Sequence, residues 1–406
     1  MRFLHTSDWQ LGMTRHYLSA EDQARFSQAR LDAISTLAKV ASEQDCAFVV
    51  VAGDVFETNQ PDRATLVRAL EQLKQFAVPV YLLPGNHDPL DAASIYDNDA
   101  FKSRCPANVE VLTDDMPRHP APGVEVVGAP WRSKEPVTDL VGQVCADAPA
   151  DGVHRVVVGH GTVPEVAGSF AAPGQIDLAV VQAAINDGRV SFVALGDRHS
   201  RTRLADNVWY SGAPEPTSYR EDDPGKALVV ELPDGPGKTC TVAAVAVGTW
   251  HFHEVDQPVD SDQDMDTLEA RLDAIADPER AIVKVKLSGT LNLAQVARLE
   301  QLLADRDALF GALEQPVRHR DIAVVAAAED LESLELTGYA AAARDRLQEL
   351  SEGDDAGAQA ATDALGLLLR LAGGGTRTPD KARARLSDDA LGGNKSGRSE
   401  AGRSAA

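Results

Sequence analysis

Phe3-Leu4-His5-Thr6-Ser7-Asp8-Trp9-Gln10-Leu11-Gly12 begins as an apolar run and turns polar at its end. Residues 2–6 read as a buried strand, because a short apolar run bounded by polar residues suits a strand covered on both faces. The same figure recurs four times along the chain. Gly53-Asp54 follows the run 48–52, Gly85-Asn86-His87-Asp88 follows 80–83, Gly159-His160 follows 155–158, and Gly196-Asp197-Arg198-His199 follows 192–195. Loops leaving the carboxyl ends of neighbouring strands converge, so clusters far apart in sequence can build one site. Asp, Asn and His bind divalent metals through oxygen and imidazole nitrogen, and the pattern predicts a two-metal hydrolase.

Amphipathic helices are expected between these strands. Ser19-Ala20-Glu21-Asp22 reads as the capped start of a helix to Glu43, with Phe26, Ala29, Leu31, Ile34, Leu37 and Val40 apolar. Pro61 is placed in the first turn of a second helix carrying Leu66, Leu70, Leu73 and Phe76. Strand, helix, strand repeats imply a layered sheet with helices outside. After His199, strand-like segments at 208–211, 226–232, 239–247 and 250–255 predict a second sheet packed on the first. A catalytic domain over 1–255 results, followed by a linker rich in Asp with Pro258.

Residues 263–330 read as a small α+β domain with helices near 265–275 and 293–303 and strands near 282–287 and 322–325. The segment 337–372 reads as helical, with Tyr339, Ala343, Leu347 and Leu350 on one stripe and Leu365, Leu368 and Leu369 on another. Those stripes serve either the chain's own packing or a docked partner. The stretch 373–406, rich in Gly, Ser, Arg and Asp, is expected to be disordered.

Composition narrows the class. The 406 residues are 44% hydrophobic and 25% charged, ordinary for a soluble globular protein. No run approaches the roughly 18 apolar residues of a membrane helix. The start is too short in apolar residues for a signal peptide, so a cytoplasmic location without membrane contact is expected. Cys46, Cys105, Cys145 and Cys240 are widely spaced without a CxxC pair, which reads as reduced thiols and argues against a zinc knuckle.

A net charge of −23, from 39 basic and 62 acidic residues, argues against coating nucleic acid by bulk electrostatics. It leaves room for a local strip of Arg15, His16, Arg132, Lys134, Arg198 and Arg201, with Arg15, His16 and Arg198 as substrate-binding candidates. Scattered solvated charges are the competing reading. His251-x-His253 sets two imidazoles on one strand face, and without a third partner it reads as a surface pair.

The five clusters together resemble the motifs of the calcineurin-like metallophosphoesterase superfamily, most closely those of the SbcD-type DNA repair nucleases. Phe3 through Gly12, Gly53-Asp54-Val55-Phe56, Pro84 through Asp88 and Ala194-Leu195-Gly196 carry that resemblance. It implies a four-layer α/β/β/α sandwich with a small α+β capping domain and a C-terminal helical segment. It also implies that Asp8 and His199 bind a first metal, that Asp54 bridges two metals, and that Asn86 and His160 bind the second. His87 would steady the transition state or protonate the leaving oxygen, with Asp88 orienting it.

Two departures stand out. The usual Asp-x-His of that family is Asp8-Trp9-Gln10 here, and the usual Gly-His-x-His is Gly196-Asp197-Arg198-His199. If Gln10 and Asp197 both bind metal, the shell holds three carboxylates, which favours Mn2+ or Mg2+ over zinc and predicts slower turnover.

Three functions follow as expectations. The first is a metal-dependent DNA nuclease in double-strand-break repair, working with an SbcC-like coiled-coil ATPase that docks on 337–372. A homodimer is usual in the resembling family but is not readable from these residues. The second is a phosphodiesterase or phosphatase acting on nucleotides or small esters. The third is a non-catalytic DNA-end or ATPase-binding subunit with a degenerate metal site.

Overall fold

The computed structural model describes residues 1–167, 174–235, 238–316, 320–325 and 337–351, with scattered positions from 353 to 368. The expected tail 373–406, Leu369 and part of the segment 337–372 lie outside the described residues.

Four parallel strands begin the first sheet: β1 (Arg2–Thr6), β2 (Cys46–Val51), β3 (Val80–Leu82) and β4 (Val109–Val111). Helices α1 (Ala20–Glu43), α2 (Arg63–Leu73) and α3 (Asp99–Lys102) connect them. The Ser19 hydroxyl accepts from Asp22 N and so caps α1, as the sequence predicts. The second helix starts differently from the expectation. Asp62 is its cap, accepting from Ala64 N and Thr65 N, so Pro61 precedes the helix instead of sitting in its first turn.

The second sheet follows with β5 (Arg118–Ala121), β6 (Val124–Gly128), β7 (His154–His160), β8 (Phe192–Gly196), β9 (Thr202–Ala205) and β10 (Val208–Tyr210). Helices α4 (Leu140–Asp147), α5 (Pro164–Ala167) and α6 (Leu178–Asn186) lie between its strands in sequence. Then β11 (Lys226–Glu231) returns to the first sheet, antiparallel to β1, with β12 (Thr241–Ala246) beyond it. The strands after His199 therefore do not make a sheet of their own. They are shared out, because β10 pairs with β8 while β11 and β12 close the edge beside β1.

Alternation along the strands builds three cores. Val49 and Val51 face α1 and α2, meeting Ile34, Leu37, Leu66 and Leu70. Phe48, Val50 and Ala52 point the other way, onto Val126, Val156, Val158 and Phe192 of the second sheet, and Phe3 stacks on Phe48 at 4.9 Å. Val157, Val193 and Leu195 pack under Val141, Cys145, Val181 and Ile185 of α4 and α6. Helix, sheet, sheet, helix is the resulting order, the four-layer sandwich expected from the sequence.

The chain continues through β13 (His251–Pro258), α7 (Asp262–Asp273), β14 (Ala281–Asn292), α8 (Leu293–Asp307), β15 (Ala312–Glu314), β16 (Arg320–Val325) and α9 (Tyr339–Ser351). Two compact units are present. One comprises Met1–Gln257, Thr267–Leu287 and Leu303–Arg320; there, Ile282 of β14 pairs with Ala312 of β15 in parallel. The other comprises Pro258–Asp266, Ser288–Leu302 and the described residues from Asp321 onward; in it, Leu293 and Leu365 pack with Val324 and Leu347.

Candidate metal centre

The loops after β1, β2 and β3 of the first sheet meet the loops after β7 and β8 of the second. Sequence reasoning treats the five loops as leaving neighbouring strands; they come instead from two sheets packed face to face. Their backbones are stitched together, with Asp8 N donating to Gly53 O and Gln10 N to Asp54 O, each at 3.0 Å. Asp8, Gln10, Asp54 and Asp197 all adopt positive φ, 54°, 51°, 54° and 97°. Such conformations cost a non-glycine residue on the order of 1 kcal/mol each, and they persist where the surroundings over-determine them.

Ligand atoms of Asp8, Asp54 and His160 lie within 4.8 Å of one another, and all three side chains are buried. Around them, His160 Nε2 is 2.7 Å from Asn86 Oδ1, 3.5 Å from Asp54 Oδ1 and 3.8 Å from Asp197 Oδ1. His199 Nε2 is 4.0 Å from Asp8 Oδ1, and Gln10 Nε2 donates to Asp54 Oδ2 at 3.0 Å. All seven predicted ligand residues therefore converge.

The donor set fits a divalent ion. Asn86 Oδ1 can only accept, and His160 Nδ1 donates to the Ala52 carbonyl at 2.8 Å, so two lone-pair atoms face each other beside a carboxylate. That arrangement requires a positive charge between them, from a proton or from a metal. Without metal, burial opposes protonation of His160, but Asp54, Asp197 and Asp8 outweigh it and raise its pKa to about 10. Burial likewise opposes the Asp54 anion, yet His160 and His87 hold it below the usual carboxylate range. Asp8 is pushed up by burial, against the pull of His199 and His160.

His87 stands outside this cluster. Its backbone N–H donates to Asp54 Oδ1 at 2.9 Å, and its ring Nδ1 donates to the Glu57 carbonyl at 2.9 Å, which leaves Nε2 free to meet a substrate oxygen. Asp88 does not orient it. Its carboxylate accepts from Gly85 N at 2.8 Å, Phe56 N at 3.0 Å and Tyr96 Oη at 2.6 Å, so it ties two loops together from behind.

Of the substrate-binding candidates, Arg15 donates to the Thr217 carbonyl at 2.7 Å, and Arg198 is held by Thr202 Oγ1 at 2.8 Å and the Val166 carbonyl at 3.3 Å. His16 is exposed, its ring 5.3 Å from that of Tyr17. Elsewhere in the basic strip, Arg132 donates to Thr113 O and Arg201 pairs with Asp223. The rings of His251 and His253 are 6.2 Å apart. Among the described residues, no third metal-binding side chain joins them.

Residues 1–201 match the family model of calcineurin-like phosphoesterases. That segment belongs to the family. The SbcD component of the nuclease SbcCD of Escherichia coli is 38% identical over 91 residues, 22% of this chain and 21% of that protein. The DNA double-strand break repair protein Mre11 of Haloferax volcanii is 26% identical over 317 residues, 76% of this chain and 66% of that protein. A solved dimetal phosphatase from Danio rerio aligns with 61% of this chain and 98% of its own, at 13% identity and a TM-score of 0.37. The chain thus spans about a fifth of the SbcD protein's length and about two thirds of the Haloferax relative's.

The phosphoesterase domain also contains side chains, missed by sequence reasoning, that hydrogen-bond to the predicted ligands. Thr162 Oγ1 donates to Asp197 Oδ2 at 2.7 Å, and Ser7 Oγ donates to Asp8 Oδ2 at 2.6 Å. His199 Nδ1 lies 2.6 Å from Thr217 Oγ1 and 3.2 Å from Glu221 Oε1. Thr217 and Glu221 sit in the loop between β10 and β11, which carries no apolar run ending in a metal-type cluster, so nothing local marked them.

Proposed function

We propose that this protein is a metal-dependent DNA nuclease of the SbcD type, hydrolysing phosphodiester bonds in double-strand-break repair with an SbcC-like ATPase as partner. The observation that carries this reading is the meeting of Asp8, Asp54 and His160 with the other four predicted ligands beside a separately held His87. The similarity to proteins named as SbcD and Mre11 supports the choice of substrate. In this reading Asp8, Gln10 and His199 would hold one divalent ion and Asn86, His160 and Asp197 the other, with Asp54 serving both. Such ions would supply an activated water and a counter-charge for the phosphate.

The protein's own part is positional. The Ala52 carbonyl fixes the His160 tautomer with Nε2 facing the cluster. The Glu57 carbonyl takes the Nδ1–H of His87, so Nε2 is the ring nitrogen left to meet the leaving oxygen, and it would give that oxygen a proton when the ring is doubly protonated. The acidic residues Asp197 and Asp54 favour Mn2+ or Mg2+ over a softer ion. A cytoplasmic location belongs to the same reading, as do a capping domain over 263–330 and docking of the coiled-coil partner on 337–372. Among the described residues, no helix is long and apolar enough to cross a membrane.

The net charge of −23 favours a second reading, hydrolysis of nucleotides or other small esters, over one that relies on a broad basic surface. One assay separates the two. Manganese-loaded protein is offered linear DNA, bis(p-nitrophenyl) phosphate and nucleotides, beside the Asp54→Asn and His87→Ala variants. Cleavage of DNA that both variants lose is the expected result; efficient turnover of small esters alone overturns it.

A further inference from the structure

Glu221 is an almost fully buried acid, its side chain 4% exposed, that no motif reading singles out. It lies in the segment joining β10 to β11. That segment is clamped where it passes the site: Arg15 donates to Thr217 O at 2.7 Å, and Arg30 to Glu215 O at 3.1 Å and Pro216 O at 2.9 Å. Asp222 N donates to Ser200 Oγ at 2.9 Å, fastening the far end to the loop that carries His199.

Both Glu221 oxygens are used. Oε2 accepts from Thr217 N at 2.9 Å; Oε1 accepts from Thr217 N at 3.2 Å, from Ser218 Oγ at 3.5 Å and from Thr217 Oγ1. A carboxylate can only accept, so the single hydroxyl proton of Thr217 is committed to Glu221. The lone pairs of Thr217 Oγ1 then face His199 Nδ1, 2.6 Å away, and Nδ1 has to carry the hydrogen. Direct approach of Glu221 Oε1 to Nδ1 at 3.2 Å demands the same tautomer. The other ring nitrogen, Nε2, is left with its lone pair toward Asp8 Oδ1, 4.0 Å away.

We infer that Glu221, acting through Thr217, is a positioning residue that fixes His199 as an Nε2 metal donor. The inference rests on the two-metal reading above. It also bears on the departure at Gln10, since an amide is a weaker donor than imidazole and leaves more of that ion's binding to His199.

Glu221→Gln tests it. A glutamine has one acceptor oxygen where Glu221 uses two, so either Thr217 N loses its shorter bond, to Oε2, or an NH2 group is turned toward the Thr217 hydroxyl. In the second case the hydroxyl rotates to donate to His199 Nδ1 and the relay reverses. Metal-free full-length protein is titrated with Mn2+ and bound ions are counted by electron paramagnetic resonance, while ring-nitrogen NMR of 15N-histidine protein reports the His199 tautomer.

Wild type is expected to bind two ions. Glu221→Gln is expected to weaken one of them by about 10- to 100-fold and to shift His199 toward the Nε2–H form. Glu221→Asp, which keeps both acceptor oxygens, is expected to restore most of the affinity. Wild-type affinity for both ions and an unchanged tautomer in Glu221→Gln would overturn the inference alone. Equal weakening of both ions with a lowered melting temperature, in the Gln and Asp variants alike, would also overturn it by making the role merely structural. Fewer than two ions in wild type would overturn the two-metal reading itself.

Discussion

The ring of His160 donates from Nδ1 to the carbonyl of Ala52 at 2.8 Å, joining the second sheet to the first directly behind the ligand cluster. That contact leaves no room at the next residue. A Cβ on Gly53 would lie 2.1 Å from His160 Nδ1, and Gly53 has φ +92°, a backbone conformation that side chains rarely adopt. Gly53→Ala is therefore expected to cost about 3 kcal/mol or more. It should also weaken Mn2+ binding by displacing His160. Urea unfolding and a Mn2+ titration check this; a wild-type midpoint with wild-type affinity would refute it.

His87 touches Asp54 through its backbone and the Glu57 carbonyl through ring Nδ1, which commits that nitrogen away from metal binding. His87→Ala should thus lower the rate of DNA cleavage by about 100- to 10,000-fold while two Mn2+ ions still bind. Asp54→Asn should lose ion binding as well as cleavage. If His87→Ala lost its ions too, the separation of roles drawn from the geometry would be wrong.

His5 is fully buried in β1, donating from Nε2 to Leu195 O at 3.1 Å, with Nδ1 lacking a hydrogen-bond partner. Burial lowers its pKa from 6.5 to about 3. Below pH 6.5 the unfolded chain takes up a proton there that the folded chain refuses. Stability from this residue is therefore intact above pH 6.5 and is lost as pH falls toward 3. Between pH 7 and pH 5 the expected loss is about 2 kcal/mol. His5→Gln, which keeps a donor for Leu195, should remove that part of the slope. Urea melts at the two pH values, compared with wild type, decide the matter.

Gln10 and Asp197 stand where the resembling family has histidines. Gln10→His combined with Asp197→His exchanges an amide and a carboxylate for two imidazoles, donors that suit zinc better. The ratio of zinc to manganese affinity is expected to rise on the order of tenfold. Competition titrations of the double variant against wild type measure it, and an unchanged ratio would mean that these two side chains do not choose the metal.

Much of the molecule is legible in the chain itself. The apolar runs at 2–6, 48–52 and 192–195 become strands because burial on both faces demands such runs, and Ser19 caps its helix because a hydroxyl there meets an orphan amide. Pro61 lies two residues before the helix start, since Asp62 offers the amides a stronger acceptor just after it. The Asp88 assignment fails for a different reason. Adjacency to His87 in sequence suggests contact, whereas the turn at Gly85 points the carboxylate back toward Phe56 N and Tyr96.

By itself, the sequence determined which side chains carry metal-type donor atoms, because each cluster is a local feature written at the end of its own strand. Tertiary structure alone decided that the clusters leave two different sheets, since strand pairing joins residues such as Arg2 and Glu231 that no local pattern relates. It alone also set Thr217 and Glu221 against His199. Hydrogen bonds are directional over about 3 Å, and only the packed fold brings loops from opposite layers within that distance.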